Sequence, residues 1–296
     1  MMPILERASH IPAEALQRCL GNLAPLPQAT LDALQALRDE SQGSEACAEL
    51  LGHDPALAAR ALRLANSAFY GVPGRVTHLR DAVHLLGRRT LSSLLTVALL
   101  ATQTQARAGS PLSTAAFWRH ALGAAFAARG IAEALHMDAE LAFVTGLLHD
   151  IGRLTLVAHF PGELRAAIRL AQDADQGITE VEEELLGTSH VRVGAMVALH
   201  WHFPPGVAQA IALHHAPVAA ADGRASLSDV VHVADAVAHA LDLNADPHER
   251  VPPLDAGAWE RIALPPRVLL PVLRAAERGV AELSLALGIA PEPLAA

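Results

Sequence analysis

The sequence predicts an all-α fold, in which an N-terminal helical subdomain is followed by a helical bundle. Hydrophobic residues make up 52% of the 296 positions and aromatic residues only 3%, so alanine and leucine supply most of the apolar content. That composition favours helix over strand. The apolar residues also recur at helical spacing, without a sustained alternation of period two. A chain of this length can form one large or two moderate domains.

Start and stop signals divide the chain into helices and parts. Asp54 and Pro55 give the clearest start, with the aspartate as N-cap and the proline at the first helical position. A boundary is predicted at Arg107–Pro111, and the proline-containing stretch 244–256 predicts a loop. The three predicted parts are an N-terminal subdomain 1–108, a helical subdomain 109–245 and a C-terminal helical extension 246–296. The predicted helices cover residues 11–20, 31–37, 54–67, 79–86, 91–102, 113–135, 138–149, 161–171, 179–186, 189–200, 205–214, 226–241 and 266–287.

The charge of the chain argues against a general nucleic-acid-binding role. The formal net charge is −9, whereas binding to a polyanion requires a basic surface. Helices on either side of Gly87, with Arg88 and Arg89 at the turn, are reminiscent of a helix-turn-helix. The second of these helices is too apolar to read a DNA groove, so nucleic acid is not an expected partner.

Cysteine usage and the absence of targeting signals predict a cytoplasmic protein. Cys19 and Cys47 do not make a disulfide framework, which is typical of a reducing compartment. Residues Met1–Arg7 lack the pattern of a signal peptide. The apolar segment Leu94–Ala101 is far shorter than the roughly 20 residues of a membrane span. No membrane span is therefore expected.

A His-Asp doublet at the end of an apolar run is the strongest functional signal. His149 and Asp150 follow Leu147-Leu148 and precede Gly152, a residue type that commonly ends a helix. Polar groups are rarely buried without partners. The doublet is therefore predicted to have partners among the other histidines and aspartates of the second part.

These residues form a candidate metal-binding set. Imidazole and carboxylate are suitable ligands for Fe, Mn, Ni or Zn, and Asp150 could bridge two ions. Taken singly, each histidine is more often a hydrogen-bonded core or surface residue, and His136, His159, His200, His202, His232 and His239 are assigned to that background. The predicted ligands of one or two divalent transition-metal ions are His120, His149, Asp150, His190, His214, His215 and Asp235.

The order of these residues resembles the HD superfamily of metal-dependent phosphohydrolases. His120, the His149-Asp150 doublet and Asp235 resemble its minimal metal set. His190 and His214-His215 resemble the extra ligands of the HD-GYP subgroup, which hydrolyses cyclic di-GMP. Where that subgroup usually has a lysine after the doublet, this chain has Arg153, which is not an equivalent group. The Gly-Tyr-Pro motif is absent, and the single tyrosine is Tyr70.

A second resemblance covers roughly residues 15–240. It is to the HDOD family, the HD-related output domains. The stretches that carry it are Asp54–Gly71, Asp81–Gly87, Phe117–His120, Gly146–Gly152 and the region from His190 to His215. The resemblance implies an HD-like bundle and a bacterial signalling module that is generally non-catalytic.

Two functional hypotheses follow. The first is a stand-alone HDOD-type regulatory module that meets signalling proteins through helical surfaces and whose His/Asp pocket binds metal or a nucleotide-like ligand. The alternative is a metal-dependent phosphohydrolase, a phosphodiesterase or nucleotide phosphatase, in which Asp150 and Arg153 take part in catalysis. An open metal position separates the two hypotheses, because catalysis needs one and a binding site does not.

Overall fold

The structure confirms the all-α fold. It is a computed structural model that describes residues 10–21, 36–37, 39, 41–67, 74–88, 90–92, 95, 110–201, 203–243, 251–287 and 289. Within these ranges the regular structure is helical, without strands. The helices are α1 (Ala13–Gly21), α2 (Ser44–Gly52), α3 (Pro55–Ala65), α4 (Leu79–Leu86), α5 (Thr114–Ala134), α6 (Ala139–Leu148), α7 (Ile151–His159), α8 (Pro161–Ala174), α9 (Ile178–Leu186), α10 (His190–His200), α11 (Pro205–Leu213), α12 (Leu227–Ala240), α13 (Ala256–Ile262) and α14 (Pro266–Leu287).

Three short helices were not predicted from the sequence. Helix α2 buries only Cys47 and Leu51, so its apolar pattern is too brief to stand out. Helix α13 follows the prolines of this stretch, and the side chain of its N-cap residue Asp255 accepts a hydrogen bond from the Ala258 amide. Helix α7 follows the His-Asp doublet at once. Most of the predicted helices 31–37 and 91–102, and most of the boundary at 107–111, lie outside the described residues.

Gly152 has a different role from the predicted one. It lies inside α7 rather than ending a helix. A Cβ atom at Gly152 would lie 2.0 Å from the His190 carbonyl oxygen and 2.7 Å from the Gly194 amide nitrogen. Only a residue without a side chain allows this approach, so the backbones of α7 and α10 are in direct contact here.

The bundle brings four helices together around the doublet. Helix α5 packs against α6, α12 and α14, and α7 packs against α10. Gly146 on α6 faces the backbone of α5, where a Cβ atom would lie 2.8 Å from the Ala124 carbonyl oxygen. One contiguous apolar core extends from Ile11 to Ile289 and contains the fully buried Trp118. These close contacts hold the polar side chains of α5, α6, α10 and α12 in a rigid frame.

One helical stretch of the described residues has the length and hydropathy of a membrane span. This stretch is Ala139–His159, which comprises α6, the doublet and α7. In the folded protein 78% of its apolar window is buried, and the doublet lies in its middle. Both features are typical of the core helix of a bundle.

Candidate metal centre

The structure brings all seven predicted ligands into one cluster. His120 and Asp235 lie in the middle of their helices, the doublet lies at the α6–α7 junction, and His190 is the first residue of α10. His214 follows the last residue of α11, whereas the predicted helix 205–214 included it. Six of the seven are buried, and His215 is partly buried. The ligand atoms fall into overlapping groups within 4.8 Å of one another, two of which are His120/His149/Asp150 and Asp150/His190/His214/His215.

Asp150 joins these two groups. Its Oδ2 lies 3.8 Å from His149 Nε2 and 3.1 Å from an Arg153 guanidinium nitrogen. Its Oδ1 lies 3.4 Å from His190 Nε2 and 3.7 Å from His214 Nε2. One carboxylate therefore faces both groups with separate oxygen atoms, which is the arrangement of a bridging ligand.

Backbone carbonyls orient two of the imidazoles. The Nδ1–H of His149 donates to the Gly146 carbonyl at 2.7 Å, and the Nδ1–H of His214 donates to the Ile211 carbonyl at 2.8 Å. A carbonyl oxygen can only accept, so Nδ1 carries the proton in both rings. In the neutral rings each Nε2 then presents a lone pair to the centre, which is the form that binds metal.

Glu182 orients a third ring and was not predicted from the sequence. His190 Nδ1 donates to Glu182 Oε2 at 2.6 Å, and the His190 amide donates to the same oxygen at 2.7 Å. Burial alone would lower the pKa of His190, but the Glu182 carboxylate outweighs it and the pKa is raised. One sequence signal could have revealed Glu182. It shares a helix face with the buried Val181 and Leu185, where an acid needs a partner.

The surrounding charges keep the Asp150 carboxylate ionised. Burial alone would raise the pKa of Asp150, but His149 and Arg153 hold that pKa well below its usual range. Burial lowers the pKa of His215 to about 4, and that of His214 well below its usual value. At neutral pH the centre therefore holds an ionised bridge and two neutral imidazoles, which are the protonation states that metal ligands require.

Several buried atoms of the cluster have no hydrogen-bond partner. They include the acceptor atoms Asp150 Oδ1, Asp235 Oδ2 and His214 Nε2. Buried carboxylate oxygens and imidazole lone pairs without donors are costly. All three atoms are acceptors, and a divalent cation is the partner that such a set suits.

His239 does not belong to the background histidines, whereas His232 is a hydrogen-bonded core residue as assigned. The Nε2 atom of His239 lies 3.2 Å from Asp235 Oδ1. His232 Nδ1 donates to the His214 carbonyl at 2.7 Å, and its Nε2 accepts from the Asp255 amide at 2.8 Å. The spacing of four residues from Asp235 was the available signal for His239, because residues four apart share a helix face. His136, His159 and His200 lie outside the cluster, and His202 lies outside the described residues.

A cavity of about 470 Å³ opens onto the cluster. This volume lies in the range of small-molecule sites. Its inner wall is formed by Asp150, Arg153, His190, His215, Asp235 and His239, and its outer wall by residues from α8 to α9 and by Val251–Pro253. The inner wall carries four of the seven predicted ligands, namely Asp150, His190, His215 and Asp235, so a bound molecule would touch them directly.

Comparisons with known proteins agree with this architecture. The fold and the site together define a class of protein, namely an all-α bundle with a buried His/Asp centre at the junction of two core helices. The sequence model of the HDOD domain matches residues 23–217. This chain belongs to the HDOD family.

Related proteins cover most of the chain. The crystal structure of a candidate phosphohydrolase from Shewanella amazonensis SB2B is 27% identical, with a TM-score of 0.66, and the match covers 93% of this chain and 96% of that one. An HDOD domain protein with unknown function from Geobacter sulfurreducens is 25% identical, with a TM-score of 0.68 and coverage of 93% and 94%. An uncharacterized protein of Treponema pallidum (strain Nichols) is 25% identical over 240 residues. That match covers 79% of this chain but 45% of the relative, so this chain spans less than half of the relative's length.

Proposed function

We propose that the His/Asp centre binds divalent transition-metal ions and that the metal-loaded protein hydrolyses a phosphate ester held in the cavity. The observation that carries this proposal is the convergence of oriented imidazole Nε2 atoms and ionised carboxylates on the wall of a cavity. Structural metal sites are closed by their ligands, whereas catalytic sites keep a position open to substrate. A centre that borders a cavity of about 470 Å³ is of the second kind.

The ligands divide into two ion positions that share Asp150. Metal ions bound there would supply Lewis acidity toward a phosphoryl oxygen and lower the pKa of a coordinated water. The donor set of imidazole and carboxylate suits Fe, Mn, Ni or Zn. The first position takes His120, His149, Asp150 and Asp235, and the second takes Asp150, His190, His214 and His215.

Arg153 is the residue proposed to hold the phosphate. Its guanidinium lies 3.1 Å from Asp150 Oδ2, and the side chain is 21% exposed toward the cavity wall. A guanidinium presents several donors in a fixed plane and can contact a phosphate while it keeps a carboxylate partner. Arg153 would therefore orient the ester against the centre.

A regulatory role without turnover is the second candidate. It is supported by membership of the HDOD family and by Arg153 in place of the lysine of the HD-GYP subgroup. In this role the cavity binds metal and a phosphorylated ligand such as a nucleotide, and occupancy is transmitted to signalling proteins through helical surfaces. Binding needs only affinity, whereas turnover also needs a correctly placed nucleophile.

Hydrolysis by the metal-loaded full chain separates the two candidates. The protein would be loaded with Mn²⁺ or Fe²⁺ and assayed on nucleoside monophosphates and on bis(p-nitrophenyl) phosphate. Loss of a buried partner behind a metal ligand costs about 10- to 100-fold, so Asp150→Asn, which changes a ligand itself, is expected to lower kcat/KM by more than about 100-fold. Arg153→Met is expected mainly to raise KM, because its role is to bind the phosphate.

The control is Arg192→Met. Arg192 is exposed on α10 and does not line the cavity, so this variant should retain the wild-type rate. Metal binding without hydrolysis of any of these substrates would overturn the catalytic proposal and favour the regulatory one. Absence of metal binding would overturn both.

A further inference from the structure

His239 occupies a position on the cavity side of the first ion position. It lies one turn after Asp235 on α12, and its ring is 4.3 Å from the ring of His120, centroid to centroid. The side chain of His239 is 10% exposed, compared with 3% for His120 and 1% for Asp235. His239 also lines the cavity. Among these three residues, His239 is therefore the most exposed toward the cavity.

Three imidazoles surround a single oxygen atom of Asp235. Oδ1 lies 3.0 Å from His120 Nε2, 3.4 Å from His149 Nε2 and 3.2 Å from His239 Nε2. An ordinary hydrogen-bonded cluster would need a proton on each Nε2 atom. The Nε2 atoms of His120 and His149 lie only 3.2 Å apart, so protons on both would point into one another. The geometry is thus poorly suited to three hydrogen bonds and is compatible with ligands that close around a cation.

The ligand atoms of His239, His120 and Asp235 are also close enough together to bind one ion. The ligand atoms of His120, Asp235 and His239 all lie within 4.8 Å of one another. His239 contacts His120 of α5 and Asp235 of α12, and it shares the cavity wall with Arg153 and His215. The described ion pairs of Asp235 are with histidines and not with arginine. Its Oδ2 atom has no hydrogen-bond partner, so the carboxylate is available to a metal ion.

We propose that His239 is a direct metal ligand which, with His120 and Asp235, holds an ion on the cavity side of the centre. This inference rests on the proposed metal centre and adds a residue to it. The alternative is an ordinary pair between residues four apart on one helix, in which His239 only donates a hydrogen bond to Asp235. A ligand and a hydrogen-bond donor respond differently to substitution, and that difference allows a test.

The test is a Co²⁺ titration of the full chain, followed by its visible absorption spectrum. His239→Gln retains an N–H group that can donate to Asp235 but removes the imidazole ligand. We expect this variant to bind one ion at least about 10-fold more weakly than the wild type and to show an altered cobalt spectrum. The matched control is His200→Gln, because His200 is exposed at the end of α10. It should leave both readouts unchanged.

A second variant tests ligation directly and remains informative if His239→Gln does not fold. His239→Cys places a thiolate at the same position, and a thiolate bound to cobalt gives a charge-transfer band in the near ultraviolet. The wild type contains Cys19 and Cys47, both buried, and should lack this band. Wild-type affinity and spectrum in His239→Gln would overturn the assignment of His239, as would the absence of the band in a folded His239→Cys. If the wild type itself binds no Co²⁺, the metal centre fails as a whole, which is a distinguishable result.

Discussion

The dipeptide His-Asp occurs in both parts of the molecule, with opposite outcomes. In the first part His53 is exposed, and Asp54 Oδ1 accepts a hydrogen bond from the Leu57 amide at the start of α3. In the second part His149 is fully buried and Asp150 is 4% exposed. Both aspartates directly precede a helix, yet Asp150 makes no side-chain capping hydrogen bond.

The two doublets differ in whether the aspartate stabilises the helix that follows it. An aspartate at an N-cap position contributes about 1 kcal/mol through its hydrogen bond to the helix. Asp54 makes this bond, whereas the Asp150 carboxylate faces histidines instead. An N-cap residue that does not cap is therefore a structural sign of a functional role, since real proteins break local rules mainly at functional sites.

The largest expected effect comes from removing each doublet in turn. His149→Ala with Asp150→Ala is expected to abolish metal binding and the thermal stabilisation that metal provides. At a metal concentration about 1,000-fold above Kd, binding stabilises a protein by about 4 kcal/mol. Without metal, this variant should also be less stable than the wild type, because it deletes two buried side chains and leaves Arg153 and His190 without the Asp150 carboxylate. Elemental analysis and melting curves with and without Mn²⁺ measure both effects.

The matched control is His53→Ala with Asp54→Ala. It is expected to lose only the helix cap, about 1 kcal/mol, and to keep the full metal-induced shift. If the two double variants bind the same amount of metal, the contrast between the doublets has no functional meaning.

A smaller effect is expected at Gly152, two residues after Asp150 in α7. Gly152→Ala would force α7 and α10 apart, because a Cβ atom would lie 2.0 Å from the His190 carbonyl oxygen. Overpacking of this kind costs about 1–3 kcal/mol. It should also weaken metal binding, since Asp150 and His190 lie on the two helices that separate.

Gly162→Ala is the control for that substitution. Gly162 lies in α8, and no atom would be within 4 Å of an added Cβ. This change is expected to be neutral or to stabilise the protein by up to about 1 kcal/mol. Denaturant unfolding and metal titration of both variants measure these effects. A smaller loss of unfolding free energy in Gly152→Ala than in Gly162→Ala would contradict the expectation.

The last expected effect is confined to stability, without an effect on metal binding, and concerns a buried aspartate outside the His/Asp cluster. Asp229 is 0% exposed, and its carboxylate accepts hydrogen bonds from the Arg261 guanidinium at 2.6 and 3.0 Å and from the Ser226 amide at 2.8 Å. Burial alone would raise its pKa, but these hydrogen bonds outweigh burial and lower it. Asp229→Asn should cost about 1–3 kcal/mol at neutral pH, with metal content unchanged.

The pH dependence of that cost has a definite sign. Because the pKa of Asp229 is lower in the folded state, the stabilisation is complete above the unfolded pKa of about 3.9 and is lost as the pH falls through the folded value. The difference in unfolding free energy between the wild type and Asp229→Asn should therefore shrink below about pH 4. A constant difference down to about pH 2 would argue against this linkage.

The fold class could be predicted because it depends on local composition. Alanine- and leucine-rich periodicity and caps such as Asp138, whose side chain accepts from the Leu141 amide, define helices without tertiary information. Helices α2 and α13 were missed because each has fewer than ten residues and is stabilised by packing rather than by its own pattern. The predicted domain boundaries remain predictions.

The candidate site could be predicted only as far as its residue types allowed. The predicted ligands meet in space, because their positions at helix ends or in the middle of core helices favour burial. Glu182 and His239 were missed, since their contacts with His190 and Asp235 depend on how α9 packs against α10 and on which face of α12 is inward. Their metal-binding role, like that of the seven predicted ligands, stays a prediction until metal is measured.

The glycine contact between α7 and α10 has a consequence for how the site can change in evolution. The spacing between the doublet and His190 is determined by two backbones that touch at Gly152 and Gly194, and not by the ligand side chains. Ligands can therefore be exchanged one at a time while the frame keeps its shape. A single scaffold of this kind can hold a reactive centre in one protein and a silent one in its relative, with little difference in the packing between them.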